Sequence, residues 1–367
     1  MTLPEGTRPS VVIDTYGGAA GPAGIVAAAA RMSRQGVARV HLVGDVTVLQ
    51  DCLSLLPYDP MTLRLVPAPA TYPLQAGDTA AKTEAARIAL PIAMAMLNDG
   101  EADVLITASP QELVYSLAQR HLPKLPGKPS TASAAIFPTV AHGEGADPLA
   151  LLLDVSGRRA HSADELVAWA VMGSTYARTV TGVAEPKVAL LSTGLGPGDG
   201  TPEVVEAHER LRHTSGLKFV GNVRAVDISR GFADVVVTDG LVGHTVRGLL
   251  EGLTTMVLEA ARYAWKTKLT WRVGLRLLAQ GVGMLRTVSE FQDYGGAPML
   301  GLQHLVLVAN PDSGEAAFEK AIRLAARCSS RGLQAELAKA VQTLSEAPKS
   351  PAAPSDRPRK VSEVHGG

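Results

Sequence analysis

Ten short stretches of this chain are almost continuously apolar. They fall at residues 11–14, 40–45, 63–68, 102–108, 131–137, 150–155, 187–193, 217–223, 233–240 and 302–310. Strands buried on both faces read this way, whereas a half-exposed strand alternates apolar with polar. Between them, apolar residues at helical spacing mark helices over 24–35, 82–99, 162–180, 203–213, 244–265 and 315–344. The helix at 162 has a marked start, because Ser162 and Glu165 form an S-x-x-E capping box. Strand alternating with helix implies parallel pairing and right-handed crossovers. The pattern therefore predicts an α/β protein with a mostly parallel sheet, one domain over 1–344. The remainder, 345–367, is rich in Pro, Ser and charge and reads as a disordered tail.

Composition narrows this picture. Of the 367 residues, 46% are hydrophobic and only 4% aromatic, which suits a tightly packed layered protein. The formal net charge is zero, so nothing suggests a nucleic-acid surface. Two distant cysteines, Cys52 and Cys328, argue against a disulfide framework or a zinc site. The first ten residues lack the apolar core of a signal peptide. The run at 88–97 is too short to span a bilayer. A cytoplasmic protein without metal or cofactor is the expectation.

One segment departs from the even charge. From Ala260 to Ser289 there are six basic residues and no acidic one. Trp265 and Trp271 lie here, with Arg272 and Arg276 beside a stripe of Trp271, Leu275, Leu278, Val282 and Leu285. A basic amphipathic helix bearing aromatics suits a membrane surface or an acidic partner, over about 260–292. An ordinary surface helix packed on the core remains the other reading.

The candidate chemistry lies in turns. Residues 192–204, "STGLGPGDGTPEV", join a strand to a helix, the usual place for an anion in α/β proteins. This turn holds no lysine or arginine and one aspartate, Asp199. Further motifs follow in order: "VVIDTYGGAAGP" from Val11, "VMGSTYAR" to Arg178, "GNVRAVD" to Asp227, "TDGLVGH" to His244 and "DYGGAPMLG" from Asp293. Together they resemble the PlsX-type phosphate acyltransferases, over about Val11 to Arg327. That family moves an acyl chain from acyl carrier protein to inorganic phosphate. The resemblance implies a Rossmann-like three-layer α/β/α fold similar to isopropylmalate dehydrogenases and phosphotransacetylases. It also implies a homodimer held peripherally at the membrane. An acidic carrier protein, or acyl-coenzyme A in its place, would be the donor, and the basic segment its dock.

Residue by residue, the resemblance marks Asp14, Gly17 and Gly18 in the opening turn. It marks Asp154 after the sixth apolar stretch and Gly194 and Gly200 in the Gly-rich loop. It marks Asp239, Gly240 and Gly243 where a strand opens a helix, and Tyr294, Gly295 and Gly296 in the last turn. These would surround phosphate and substrate. His244 stands where the family has a catalytic-looking asparagine, and His244 or Asn222 would polarise the thioester carbonyl. Several of these positions read equally as structural turns or helix caps. The chain also departs from the pattern. The family lysine falls at Gly198 or Asp199, so attraction for phosphate becomes repulsion unless Asp199 turns away or another cation compensates. Arg158, in the turn after Asp154, is a candidate for that role or a plain surface arginine. Two readings stay open: an acyltransferase with a substituted site, or a binding paralogue that has lost catalysis. A dehydrogenase is disfavoured, because no G-x-G-x-x-G follows the first strand.

Overall fold

The computed structural model describes residues 8–18, 21–68, 79–139, 149–158, 162–281, 295–311 and 313–346. Its strands are β1 (Ser10–Asp14), β2 (Arg39–Gly44), β3 (Leu63–Pro67), β4 (Val104–Thr107), β5 (Ala132–Pro138), β6 (Leu149–Leu153), β7 (Lys187–Leu191), β8 (Lys218–Val223), β9 (Val235–Val237), β10 (Ala297–Leu300) and β11 (Leu305–Val308). They form one sheet in the order β3-β2-β1-β4-β11-β10-β5-β6-β9-β7-β8. The helices are α1 (Gly21–Arg34), α2 (Val46–Leu53), α3 (Thr79–Asn98), α4 (Gln111–His121), α5 (Ala163–Tyr176), α6 (Pro202–Arg212), α7 (Ala225–Ile228), α8 (Gly240–Thr267), α9 (Leu269–Gly281), α10 (Glu315–Ser330) and α11 (Leu333–Glu346).

The sheet has two parallel blocks, β3-β2-β1-β4-β11 and β6-β9-β7-β8. Between them, β10 runs antiparallel to both β11 and β5, and β5 runs antiparallel to β6. Three reversals leave the two blocks pointing in opposite directions. Two of the reversals, β10 on β11 and β5 on β6, pair strands that follow one another in the chain, whereas the third, β10 on β5, pairs strands far apart in sequence.

Alternate side chains of each buried strand feed opposite layers. Val11, Ile13, Val104 and Ile106 pack with α1, α5 and α10, around the fully buried Trp169 and Phe318. Val12 and Leu105 pack on the other face with Leu90, Met94 and Leu97 of α3 and Val114 of α4. Leu152, Val155, Ala189 and Val236 meet Val246 and Leu250 of α8 on that same side. Helices thus cover both faces, as the continuous apolar runs require.

Several expected elements change form. The single helix expected over 315–344 breaks at Gly332, whose φ of +65° suits glycine, giving α10 and α11. The strand expected over 302–310 begins only at Leu305, and β10 adds a short partner. Helices α2, α4 and α7 were not foreseen. α2 starts where the Asp45 carboxylate accepts from the amides of Thr47 and Val48, at 2.9 and 3.3 Å. At α5, Ser162 accepts from the Glu165 amide at 3.3 Å, while the Glu165 carboxylate accepts from the Ser130 hydroxyl. Only half of the capping box forms. The tail beyond Glu346 lies outside the described residues.

The ends of β1 and β4 are pressed together by Gly17. A Cβ at Gly17 would lie 2.4 Å from the Ser109 nitrogen and 2.5 Å from the Ala108 carbonyl carbon. Backbone cannot yield as a flexible side chain can. Gly17→Ala is expected to destabilise the protein by about 1–3 kcal/mol, the usual range for overpacking. A urea midpoint equal to that of the unsubstituted protein would contradict this.

Candidate active site

Two buried carboxylates organise the strand ends. Asp14 closes β1 and has no solvent exposure. Its carboxylate accepts from the hydroxyls of Thr107 and Ser109, at 2.8 and 2.6 Å, and from the Tyr16 amide at 3.0 Å. Asp154 follows β6 and is equally buried. It accepts from the amides of Ser133 and Ser156, at 2.7 and 2.9 Å, and from the Ser156 hydroxyl. Each aspartate therefore fixes its own turn and a neighbouring strand end at once.

The start of α8 nests against the Asp154 turn. A Cβ on Gly243 would lie 2.0 Å from the Asp154 carbonyl oxygen, and one on Gly240 2.5 Å from that of Arg158. Asp239 caps α8, accepting from the amides of Leu241 and Val242 at 2.9 and 3.3 Å. His244, half-buried, comes within van der Waals reach of Gly157. Arg158 lies over the Tyr115 ring, 5.0 Å from its centre. Its Nε is buried and makes no hydrogen bond among the described residues. Burial, partly opposed by that guanidinium, pushes the Tyr115 hydroxyl up to about 12.

The two halves are tied through α4. The Gln111 amide donates to the Val155 carbonyl at 3.5 Å, and its oxygen accepts from Arg247 of α8. A cleft of about 650 Å³ opens here, lined by Ser109, Gln111, Ser133, Arg247 and Asn310. Gly296 also lines it, while Gly295 packs on the α10 backbone, 2.6 Å from where its Cβ would stand to the Ala321 nitrogen. Tyr294 lies outside the described residues. Gly18 turns at φ +88° beside Ala108 and Phe318.

The Gly-rich loop is closed upon itself. The Asp199 carboxylate accepts from the Gly196 amide at 2.8 Å, and its backbone carbonyl accepts from the Ser192 hydroxyl at 2.6 Å. A Cβ on Gly194 would stand 2.2 Å from Asp199 Oδ2, and one on Gly200 2.8 Å from Ser192 Oγ. Asp199 turns inward and, among the described residues, meets no cation; it serves as the anion of its own turn. Asn222 completes the closure. Its amide donates to the Gly196 carbonyl at 2.7 Å, and its oxygen pairs with His208 Nδ1 at 2.8 Å. Both ends of Asn222 are thus occupied within the loop and α6.

The basic segment is two helices, not one. The chain extends at Lys268, so Trp265 ends α8 and Trp271 starts α9. Arg276 lies 5.3 Å from the Trp265 ring centre, and Lys268 5.3 Å from that of Trp271. Arg272 Nε donates to the Trp265 carbonyl. Both tryptophans remain exposed, at 40% and 43%. Val282 and Leu285, expected on the same stripe, lie outside the described residues. No described helix is long and apolar enough to cross a membrane.

The profile of the family described as "Fatty acid synthesis protein" matches residues 10–336. The chain belongs to this family. The motif resemblance to PlsX-type proteins is thereby established across nearly the whole chain. A phosphate acyltransferase of Myxococcus xanthus is 33% identical over 334 residues, covering 90% of this chain and 93% of that protein. Another, from Synechocystis, is 28% identical over 323 residues, covering 87% and 90%. Among solved structures, a phosphotransacetylase from Streptococcus pyogenes superposes with a TM-score of 0.56 at 17% identity, over 88% of this chain and 94% of that one. The EutD phosphotransacetylase from Staphylococcus aureus gives 0.53 at 15% identity, over 88% and 95%. These last two show that the three-layer fold is similar to that of phosphotransacetylases.

The segment "TASPQEL" at 107–113 is legible as a substituted family motif, but no site role was assigned to Thr107, Ser109, Gln111, Ser133 or Arg247. A T-x-S at the end of the "VLIT" strand was the available sign for the first two.

Burial holds the Asp14 carboxyl above its usual value near 3.8, opposed by its bonds from Ser109, Tyr16 and Thr107. Burial likewise raises Asp154, opposed by Ser156, Ser133 and the charge of Arg158. A carboxyl that binds its proton more tightly when folded adds stability that is complete below its unfolded value. That contribution is lost as pH rises through the folded value. The stability of the natural protein relative to Asp14→Asn should therefore grow as pH falls from about 7 toward about 4. Urea midpoints across this range check it, and parallel curves would refute it.

Proposed function

We propose that this protein transfers an acyl group from a carrier thioester to inorganic phosphate, giving an acyl phosphate. The observation that carries the reading is the packing of the Asp154–Arg158 turn on the start of α8, which sets His244 beside Gly157 and the Arg158 carbonyl beside Gly240, in a chain of this family. A phosphate oxygen attacks the thioester carbonyl, the carbon–sulfur bond breaks, and the carrier leaves as a thiol. Phosphate is itself the nucleophile, so the protein needs chiefly to position and to stabilise charge.

In this reading the phosphate lies near Arg158, at the outer edge of the seam where the Gly157 turn packs on the start of α8. Arg158 supplies the cation that the Gly-rich loop lacks. His244 donates to the developing oxyanion or returns a proton to the departing sulfur. The Gly17–Gly18 turn, held by Asp14, backs Ser109 of the cleft wall, and Gly296 lines the cleft. Asn222 acts as a positioning residue for the loop holding Gly194 and Gly200, not at the carbonyl.

The hairpin of α8 and α9 is the proposed dock for acyl carrier protein, an acidic partner suited to Arg262, Lys266, Lys268, Arg272 and Arg276. Trp265 and Trp271, with exposed Tyr263 and Leu269, would rest at a membrane surface. The exposed row Leu249, Leu253, Met256 and Val257 on α8 would meet a second copy in a homodimer.

Purified protein given acyl carrier protein thioester and phosphate should form a product trapped by hydroxylamine. His244→Ala should reduce it by about 10²-fold, the scale of one lost oxyanion donor. Absence of product from every thioester tried would overturn the reading. Reversing charge at Arg262 and Lys266, which make no hydrogen bond or ion pair among the described residues, should weaken carrier binding at least tenfold, most at low salt. Unchanged binding in titration calorimetry would move the dock elsewhere.

A further inference from the structure

The cleft between β5 and α8 has features that the phosphate chemistry does not use. Ser133 is 2% exposed, and its hydroxyl has no hydrogen-bond partner among the described residues. Its own amide is held by Asp154, so the side chain is fixed where it lines the cleft. A buried hydroxyl without a partner carries a free-energy cost that a ligand oxygen could relieve. Beyond Ser133 the wall becomes apolar, through Ala134, Ala135, Ile136 and Phe137.

The opposite wall is α8, which presents Arg247, Gly248, Gly252 and Thr255. Gly248 and Gly252 are one turn apart, on one face. Glycine is, after proline, the weakest helix former, so two in mid-helix are an expense the fold does not need. Neither is imposed by crowding. A Cβ at either position would meet nothing within 4 Å. The glycines keep space open instead of relieving a clash. From Arg247 to Thr255 the channel follows about 12 Å of helix, and its volume of about 650 Å³ lies within the ordinary range for ligand sites.

We infer that this cleft is the subsite for the acyl chain. The carbonyl end lies against the Ser133 hydroxyl and Arg247, and the methylenes run between the β5 wall and the Gly248–Gly252 face. A polar, cationic mouth joined to an apolar channel matches an amphiphile with an oxygen-bearing head. The inference rests on the acyltransferase reading for the identity of the head group, and names the chain as what Gly248 and Gly252 admit. Each buried methylene contributes about fourfold in affinity, so filling the channel selects strongly on length.

The test is a chain-length profile. Rates of acyl phosphate formation are measured with hexadecanoyl and butanoyl thioesters, for the natural protein and for Gly248→Leu, Gly252→Leu and Ser133→Ala. Binding of a fluorescent undecanoic acid is measured alongside. Leucine should hold or raise the melting temperature, since it favours helix over glycine. Gly252→Leu should lower the ratio of kcat/KM for hexadecanoyl over butanoyl at least tenfold and abolish fatty-acid binding. Ser133→Ala should lower kcat/KM for both chains several-fold, leaving their ratio in place. An active natural protein whose ratio is unchanged by both leucines overturns the subsite and leaves the acyltransferase reading standing. An inactive natural protein whose fatty-acid binding is lost on Gly252→Leu supports the subsite while the reaction reading fails. Unchanged fatty-acid binding with an altered oligomeric state would show that a second copy fills the groove, and overturns the proposal.

Discussion

The Asp14 carboxylate, sealed between β1 and β4, is the constraint from which the site is built. Three hydrogen bonds converge on it, two from beyond the end of the neighbouring strand or at it. They set the height at which β1 and β4 stop. Gly17 can then press onto Ala108 and Ser109, and α4 starts at Gln111 in position to reach Val155 and Arg247. Asp154 repeats this device in the opposite block, binding the start of β5 through Ser133. Two elements that run in opposite directions thus meet with fixed spacing, although the sheet itself reverses three times between them.

Burial of two carboxylates works against stability, and the fold accepts it only because each is surrounded by donors. Removing one donor leaves a charged or desolvated oxygen with fewer partners, which costs more than the bond contributed. This is why Thr107, Ser109 and Ser156, whose hydroxyls donate to the two carboxylates, are small polar residues at otherwise apolar strand ends. The Gly-rich loop shows the same economy at the surface. Its turn has the geometry of an anion cradle, and Asp199 supplies the anion from within.

Much of the fold was legible. Strands buried on both faces announce themselves as apolar runs, and all ten expected stretches contain a strand, though those at 233–240 and 302–310 are much shorter than expected. What escaped was set by tertiary contacts. β10 has four residues beside a Gly-Gly turn, too few for any period to show. The antiparallel pairing of β5 with β6 is a relation between two strands, which no local pattern reveals. In the site, Asp14, Asp154, Gly240 and Gly243 were marked by the motif resemblance, and they stand at strand ends and at the start of α8. The inward turn of Asp199 was not legible, since a carboxylate in a glycine-rich turn reads alike whether it faces solvent or its own backbone. Arg247 escaped for a related reason. It is one more basic residue on a long helix until α4 places Gln111 against it.

Helix α8 contributes to every functional surface discussed, and it is one continuous element of 28 residues, about 42 Å long. Its anchorage in the core is through Val246 and Leu250, near one end. Mechanically it is a first-class lever with unequal arms. From that fulcrum about 28 Å extends to the break at Lys268, and only about 6 Å to His244. A sideways displacement of the tip by one ångström, taken up as rigid rotation, reaches the histidine reduced nearly fivefold. The hairpin can therefore yield to a soft or fluctuating surface while the reacting end stays almost still.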